Sequence, residues 1–435
     1  MFSGDECRVE CAVTPDTTGT PQWRPTDREK QLRTQVAFDD DRIHFRFRWD
    51  QPNPGGWLHD MLVYQEGRWQ RFADPSPWVS GDSDHTGFYE DRVSFFLGDG
   101  SVEGFAEFGG WLTTHHGMRS LPSEAPPEAV REHAHFGDDG LGKTDVRKYL
   151  PQACTGEWWE SDWRAVRSPD ELATLKREGT FLDLPMWRAH RSDPLDYGTD
   201  HHVLDYRHSD AGRNTYGTQS WDPEAGPEFM FDPAVVTDGA LDYHAVRNGA
   251  FPAQGVDTYA LEPDVTVSFD PAVAEWKGAM IPRRPLREPH GSAADWSASG
   301  RWTGDEWVVE MTRALRTDHP VDTKQLEAGG VYTWSPAVHH GAGKRWHWVA
   351  YPYRLGLGVE PDPVGGHEQS TLVATEVAGE AVDWDTVKTH SIPLVFPGTT
   401  SWTALTDNDN PRSGAVRNLE TTVWDLRLGN PSTLD

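Results

Sequence analysis

The chain reads as mainly β, an antiparallel β-sandwich with a partly helical insertion and a C-terminal β extension. Three observations predict this. Short runs of β-branched and aromatic residues recur between turn signals, with apolar and polar positions alternating. The 435 residues include 21 Trp beside 41 Gly and 32 Pro, a composition of strands, loops and flat aromatic surfaces. Helix signals are confined to the middle of the chain.

In order, residues 1–30 read as an irregular N-terminal arm. Gln35–Phe38 and Arg42–Trp49 (RIHFRFRW) are expected strands around the turn Asp39-Asp40-Asp41. Alternation assigns Ile43, Phe45, Phe47 and Trp49 to the core and Arg42, His44, Arg46 and Arg48 to the other face. Gln51–Gly56 is a loop, and Met61–Tyr64 with Arg68–Phe72 forms a hairpin about Glu66-Gly67. Arg92–Leu97 is a strand, and Val102–Phe108 is expected to continue the meander. Helical propensity follows at Pro127–His133 and at Ser168–Gly179, where an N-cap Ser, a Pro at the first position, early acids and a Gly stop coincide. Leu184–His190 (LPMWRAH) is expected to be a third helical turn or helix, and His202–Arg207 a short strand. Strands resume at Ala294–Ser299 and Glu306–Arg313. Next come Tyr332–Val338 and Arg345–Leu357, joined by the turn Gly341-Ala342-Gly343. Ile392–Phe396 and Thr421–Leu428 are expected as two further strands. The resulting division is a sandwich of 31–120 with 255–360, an insertion over 121–254, and an extension over 361–435. No fixed-period repeat is present.

Acidic residues number 69 against 40 basic, a formal charge of −29. Only 8 of the basic residues are Lys. Such a surface excludes nucleic acid and anionic membranes as partners, since both need a basic footprint. It resembles the acidic, Lys-poor surfaces of proteins from salty surroundings, a halophilic expectation. No apolar run is long enough to span a bilayer. The first residues, MFSGDECRVEC, lack the pattern of a secretory leader, so either the chain stays in the cytoplasm or a leader has been removed. The three cysteines, Cys7, Cys11 and Cys154, are too few for a disulfide scaffold, and no His follows Cys11 directly as haem attachment requires.

Two stretches carry chemistry. In the strand from Arg345 to Leu357, period two sets Arg345, His347 and Val349 on one face and Trp346, Trp348 and Ala350 on the other. An imidazole between two indoles is either a metal ligand beside a flat cofactor or a hydrogen-bonded core histidine. In FGGWLTTHHGMRSLP (108–122), His115, His116 and Met118 are three potential ligands within four residues; haem iron accepts His, Met or both. The alternative there is a polar loop with a buried Met. His59 and His190 either line a pocket or bond within the core. Arg283, Arg284 and Arg287 suit carboxylate recognition, by a ligand or by the chain's own acids. No zinc spacing, P-loop, dinucleotide fingerprint or Ser-His-Asp order is present.

The blocks RFRWDQPNPGGWLHDMLVY (46–64), GFYEDRVSFFLGDGSVEGF (87–105) and FLDLPMWRAHRSDP (181–194) resemble the ethylbenzene dehydrogenase-related family. So do GSAADWSASGRWTGDEWVVEMTRAL (291–315) and KRWHWVAYPYRLGLG (344–358), with a weaker likeness in PLVFPGTTSW (393–402). The resemblance implies a haem-binding β-sandwich subunit or cytochrome associated with molybdenum enzymes of the dimethyl-sulfoxide-reductase group. It implies axial ligands at Met118 and His347, with His115, His116, His190 and His59 as alternative ligands. Trp111, Trp346, Trp348 and Arg345 would flank the cofactor. Some members carry Cys-x-x-x-Cys-His before the Met; here Gly110 and Thr114 stand at the thiol positions, so the haem expected is noncovalent haem b. An extracytoplasmic location and a redox partner follow from the same resemblance.

The expected function is electron transfer without substrate chemistry of the chain's own. The competing readings are a sandwich module for carbohydrate or another small ligand, with Trp platforms and the haem lost, and a haem enzyme with one open coordination position. The charge itself is testable. Screening should relieve self-repulsion, so the midpoint temperature should rise from tens of millimolar to molar chloride, measured by calorimetry. A flat or falling curve would show that the acids are already compensated within the fold.

Overall fold

The computed structural model describes residues 29–51, 56–72, 89–113, 125–247, 259–275, 277–339, 347–379, 381–395 and 405–429. Its strands begin with β1 (Glu29–Phe38), β2 (Arg42–Asp50), β3 (Met61–Gln65), β4 (Arg68–Phe72) and β5 (Arg92–Gly98). Then come β6 (Leu182–Asp183), β7 (Met186–Arg188), β8 (His201–Val203) and β9 (Arg207–Ser209). Short strands follow as β10 (Trp221–Asp222), β11 (Gly226–Pro227), β12 (Phe229–Phe231), β13 (Leu241–Asp242), β14 (Thr266–Ser268) and β15 (Ala279–Pro282). The longer ones return as β16 (Ser297–Trp302), β17 (Glu306–Ala314) and β18 (Val331–His339). Last are β19 (Trp348–Val349), β20 (Tyr353–Leu357), β21 (Thr371–Glu376) and β22 (Thr389–Val395).

The chain is mainly β, but the strand pairing does not describe a sandwich. Within a 14-stranded sheet, β1, β21, β20, β18, β19 and β22 close on themselves as a six-stranded barrel. From that ring one arm runs β1–β2–β17–β16 and another runs β18–β5–β6–β8–β9. The barrel is also not purely antiparallel, because β21 pairs in parallel with both β1 and β20. A separate sheet, β13–β15–β3–β4, has its own core around Met61, Leu62, Met280 and Ile281.

Alternation in β2 is as expected. Ile43, Phe45, Phe47 and Trp49 are fully buried. Phe45 and Phe47 lie within 6.3 Å of the Trp334 ring of β18, so the arm and the barrel share one aromatic core. Helix Pro169–Arg177 also forms as read, with Ser168 and Glu171 completing a capping box. Pro127–Glu132 is helical too.

Five elements differ from expectation. Val102–Phe108 does not extend as a strand: Gly104 turns the chain at φ 79° and Phe105–Phe108 is a short helix. Leu184–His190 is not helical, because Met186–Arg188 pairs with β5, and ladder bonds outweigh local propensity. His202–Arg207 is two strands of a hairpin, β8 and β9. Thr421–Leu428 is a helix, since Thr422 and Asp425 make a capping box that starts Val423–Leu428. The expected strand ending at Leu357 is broken between Val349 and Tyr353. The helical region is also tied into the large sheet through β6, β7, β8 and β9.

Trp187 of β7 lies across Gly300 of β16, where an added Cβ would run into the indole. The indole N–H and the Gly300 N–H both donate to Asp193 Oδ1, at 2.7 and 2.6 Å. Gly300→Ala should therefore displace a buried Trp and cost about 1–3 kcal/mol, read as a lower urea midpoint. An unchanged midpoint would mean that this contact relaxes freely.

Candidate functional site

Basic side chains form a row across the ends of four strands. Arg92 opens β5 and lies opposite Arg188 at the end of β7 and His339 at the end of β18. The β18–β19 register, Ala337↔Val349 and Val338↔Trp348, brings His347 opposite His339. Directly opposed residues share a face, and the two imidazoles stack with centroids 4.6 Å apart at 12°. Arg92 Nη2 donates to His339 Nδ1 at 2.8 Å. An accepting Nδ1 leaves His339 neutral with its proton on Nε2. Burial, with the charge of Arg92 and the neighbouring His347, holds its pKa well below the usual imidazole value.

Behind the row lies a buried ion-pair group. Glu90 accepts from Arg191 Nε at 2.6 Å and from the backbone N–H groups of His190 and Arg191 at 3.0 and 2.9 Å. Arg188 Nη1 is 3.7 Å from the same carboxylate. Burial alone would raise the Glu90 pKa; Arg191 and Arg188 pull it down to about 2. Arg191 also lies 4.9 Å from the Tyr216 ring, and Arg92 4.8 Å from the Tyr89 ring. Tyr216, which burial would raise, is brought down to about 8 by Arg191, Arg188 and Arg207.

Arg207 of β9, Arg147 and Lys148 close the third side. Burial and the repulsion of Arg147, Arg188 and Arg92 lower Arg207 to about 9. Burial and Arg191 lower Arg188 to about 10. Burial and Arg207 lower Lys148 to about 7. Arg207 and Lys148 are partly buried, and Arg147 is exposed. Glu90 pairs with Arg188 and Arg191, and Asp145 with Arg147. Cationic side chains grouped in this way suit an anionic ligand carrying carboxylate or phosphate groups.

The stretch leading to residues 114–124 reaches the same place. An added Cβ at Gly109 would meet Pro352 at 3.0 Å, and one at Gly110 would meet Val349 at 3.5 Å. Trp111 stacks on Tyr351 at 5.2 Å and 14°. The Thr113 hydroxyl accepts from Lys148 Nζ at 3.2 Å. His347 and Trp111 are thus brought to one end of the fold. Met118, His115, His116, Arg345 and Trp346 lie outside the described residues, as do Cys7 and Cys11.

Trp348 pairs opposite Val338, and Lys30 Nζ is 4.8 Å from its ring centroid. His59 and His190 are buried with the ion-pair group. His59 meets Tyr89 edge-on at 4.6 Å, and His190 Nδ1 is 3.2 Å from the Trp57 carbonyl. Burial lowers His190 to about 4 and His59 well below the imidazole range, so both are neutral bases. His59 Nδ1 and His190 Nε2 have no hydrogen-bond partner among the described residues. The PRRPLR arginines are occupied elsewhere. Arg283 and Arg284 bond to Asp60 at 2.9 and 2.8 Å, and Arg287 to Asn214. Sequence reasoning did not find Arg92, Lys148, Arg188, Arg191, Arg207 or His339. For Arg92, Arg188, Arg207 and His339 the one signal is a basic residue at the end of a short strand, where a solvated strand end is the ordinary reading; Lys148 and Arg191 lie outside the strands.

The arrangement offers a buried imidazole for a metal and a cationic wall for acidic groups. These donor types fit a haem, whose iron takes nitrogen or thioether ligands and whose propionates are carboxylates. Among the described residues no helix is long and apolar enough to cross a membrane. A comparison with curated proteins found no match. A family profile described as ethylbenzene dehydrogenase matches residues 9–350, well over half of the chain. The chain belongs to the ethylbenzene dehydrogenase family.

Proposed function

We propose that the protein is a noncovalent haem-binding electron-transfer subunit, working beside a molybdenum enzyme or another redox partner. The observation that carries the reading is the convergence of His347, the Trp111–Thr113 segment and the cationic side chains at one end of the fold. Bound there, the haem would supply an iron that gains and loses one electron. His347 would hold the iron through its imidazole and Met118 through its thioether, with His115 as the competitor of Met118. Arg92, Lys148, Arg188 and Arg207 would offset the propionate charge. Tyr351 and Trp111 would exclude water from the edge of the site. No group is arranged for substrate chemistry in this reading, and location outside the cytoplasm is part of the proposal. The family membership supports a subunit role over a carbohydrate-binding module.

The test is spectroscopic. The purified or haem-reconstituted chain should show a Soret band, and acid–acetone should extract the pigment completely. Haem retained under denaturing electrophoresis would contradict noncovalent binding. A chain that takes up no haem would overturn the reading. Met118→Ala should abolish the near-infrared band of a thioether on ferric haem and lower the potential; His347→Ala should remove most of the haem. If Met118→Ala changes nothing and His115→Ala shifts the spectrum, two histidines hold the iron.

The cationic wall has its own signature. Lys148 sits at about 7 in the folded chain against 10.5 as an ordinary lysine. Between these values the unfolded chain binds a proton that the folded chain does not, so this group makes haem-free stability rise with pH. Lys148→Met should therefore stabilise the haem-free chain at pH 6, with a gain that shrinks toward pH 10, measured by urea melts. The same variant should weaken haem binding. Equal effects at both pH values would show that the ammonium is not buried at a cost.

A further inference from the structure

On the far side of the β8–β9 hairpin, three buried side chains from separate segments converge. They are His202 of β8, Asp210 just after β9, and Asp322 between β17 and β18, each no more than 5% exposed. One ligand atom from each lies within 4.8 Å of the others. Two donors on one ion stand at most about twice a metal–ligand bond apart, roughly 4.0–4.8 Å for bonds of 2.0–2.4 Å. A single ion can bridge the three.

Hydrogen bonding among these residues leaves donor atoms over. Asp210 Oδ1 is 2.6 Å from His202 Nδ1, while Asp210 Oδ2 is buried with no partner among the described residues. Asp322 Oδ2 accepts from the Ala211 N–H at 3.2 Å and the Ser292 hydroxyl at 2.9 Å. Its Oδ1 is likewise buried and without a partner among the described residues. Asp200, whose carbonyl accepts the Asp210 N–H, adds a further buried carboxylate with a partnerless Oδ2. The nearby Arg313 is directed to Asp183, at 3.7 Å, and to the Lys324 carbonyl. Burying carboxylates without a counter-charge is strongly unfavourable, and a cation held by this cluster would remove the penalty.

We propose that His202, Asp210 and Asp322 bind a first-row divalent cation of borderline hardness, zinc or manganese. An imidazole nitrogen disfavours calcium and magnesium, which take oxygen, and two carboxylates disfavour soft copper(I). The ion would join the β8–β9 hairpin to the connection that leads into β18. Arg207, on the same hairpin, would be held in the cationic wall through it. The site is independent of haem, so its success or failure does not decide the haem reading.

Elemental analysis of the full-length protein should find zinc or manganese near one equivalent per chain after desalting. EDTA treatment should lower the midpoint temperature by several degrees. ZnCl2 or MnCl2 at about 100 µM should restore it, and CaCl2 should not. Asp322→Asn should reduce metal content by about tenfold or more. The proposal is overturned if the chelated wild type responds to neither ion. It is also overturned if calcium alone restores stability, or if Asp322→Asn is more stable with metal content unchanged. The last result would mean that the carboxylates are buried as neutral acids.

Discussion

The Glu90 carboxylate is the interaction on which the functional end of the molecule depends. Two guanidinium groups, Arg191 and Arg188, are buried against it, and two backbone N–H groups bind its oxygens. Removing one partner from such a buried group typically costs about 3–5 kcal/mol, because the charge left behind has no solvent. Its two neighbours in sequence extend the anchorage. Asp91 accepts the Trp307 indole N–H at 2.9 Å, and Arg92 donates to His339. Three consecutive residues thus tie the start of β5 to the 188–191 segment, to β17 and to β18. Whatever the cationic wall receives, its shape is set by this tripeptide before any ligand arrives.

Much of the architecture was legible where a local rule governs. The β2 alternation, the β3–β4 turn at Glu66-Gly67 and the capping box at Ser168 each follow from residues a few positions apart. Ring closure was not legible. It depends on β1 meeting β22 and β21, strands more than three hundred residues away in sequence, and no period or turn records such a pairing. The parallel contacts of β21 were hidden for the same reason. Thr421–Leu428 shows a different failure. Its β-branched and aromatic content suggested a strand, yet Thr422 and Asp425 stand at capping-box spacing, and the cap decided the outcome. In LPMWRAH the conflict ran the other way, with good helix formers drawn into a strand by pairing with β5.

The candidate site divides along similar lines. His347 could be singled out because an imidazole between indoles is unusual on a strand. Arg92, Arg188 and Arg207 could not, since a basic residue at a strand end ordinarily faces water. Only the register across β7, β5, β18 and β19 turns scattered bases into one row. Asp210 and Asp322 are separated by more than a hundred residues and lie in unremarkable acidic stretches. In a chain with 69 acids, convergence with His202 and buried oxygens without a partner among the described residues distinguish these two, and both are properties of the fold.

The ends of the large sheet bear on how exposed strand edges are managed. The main path of the large sheet ends in β16 and β9. At β16 the first residue is bridged by Tyr197, and β9 is three residues long. Both termini of the ladder are therefore blunted, one by a crossing segment and one by brevity. A chain this rich in aromatic strands carries an inherent hazard of edge-to-edge fibre growth. At these two ends of the large sheet, little backbone is left on which such growth could begin.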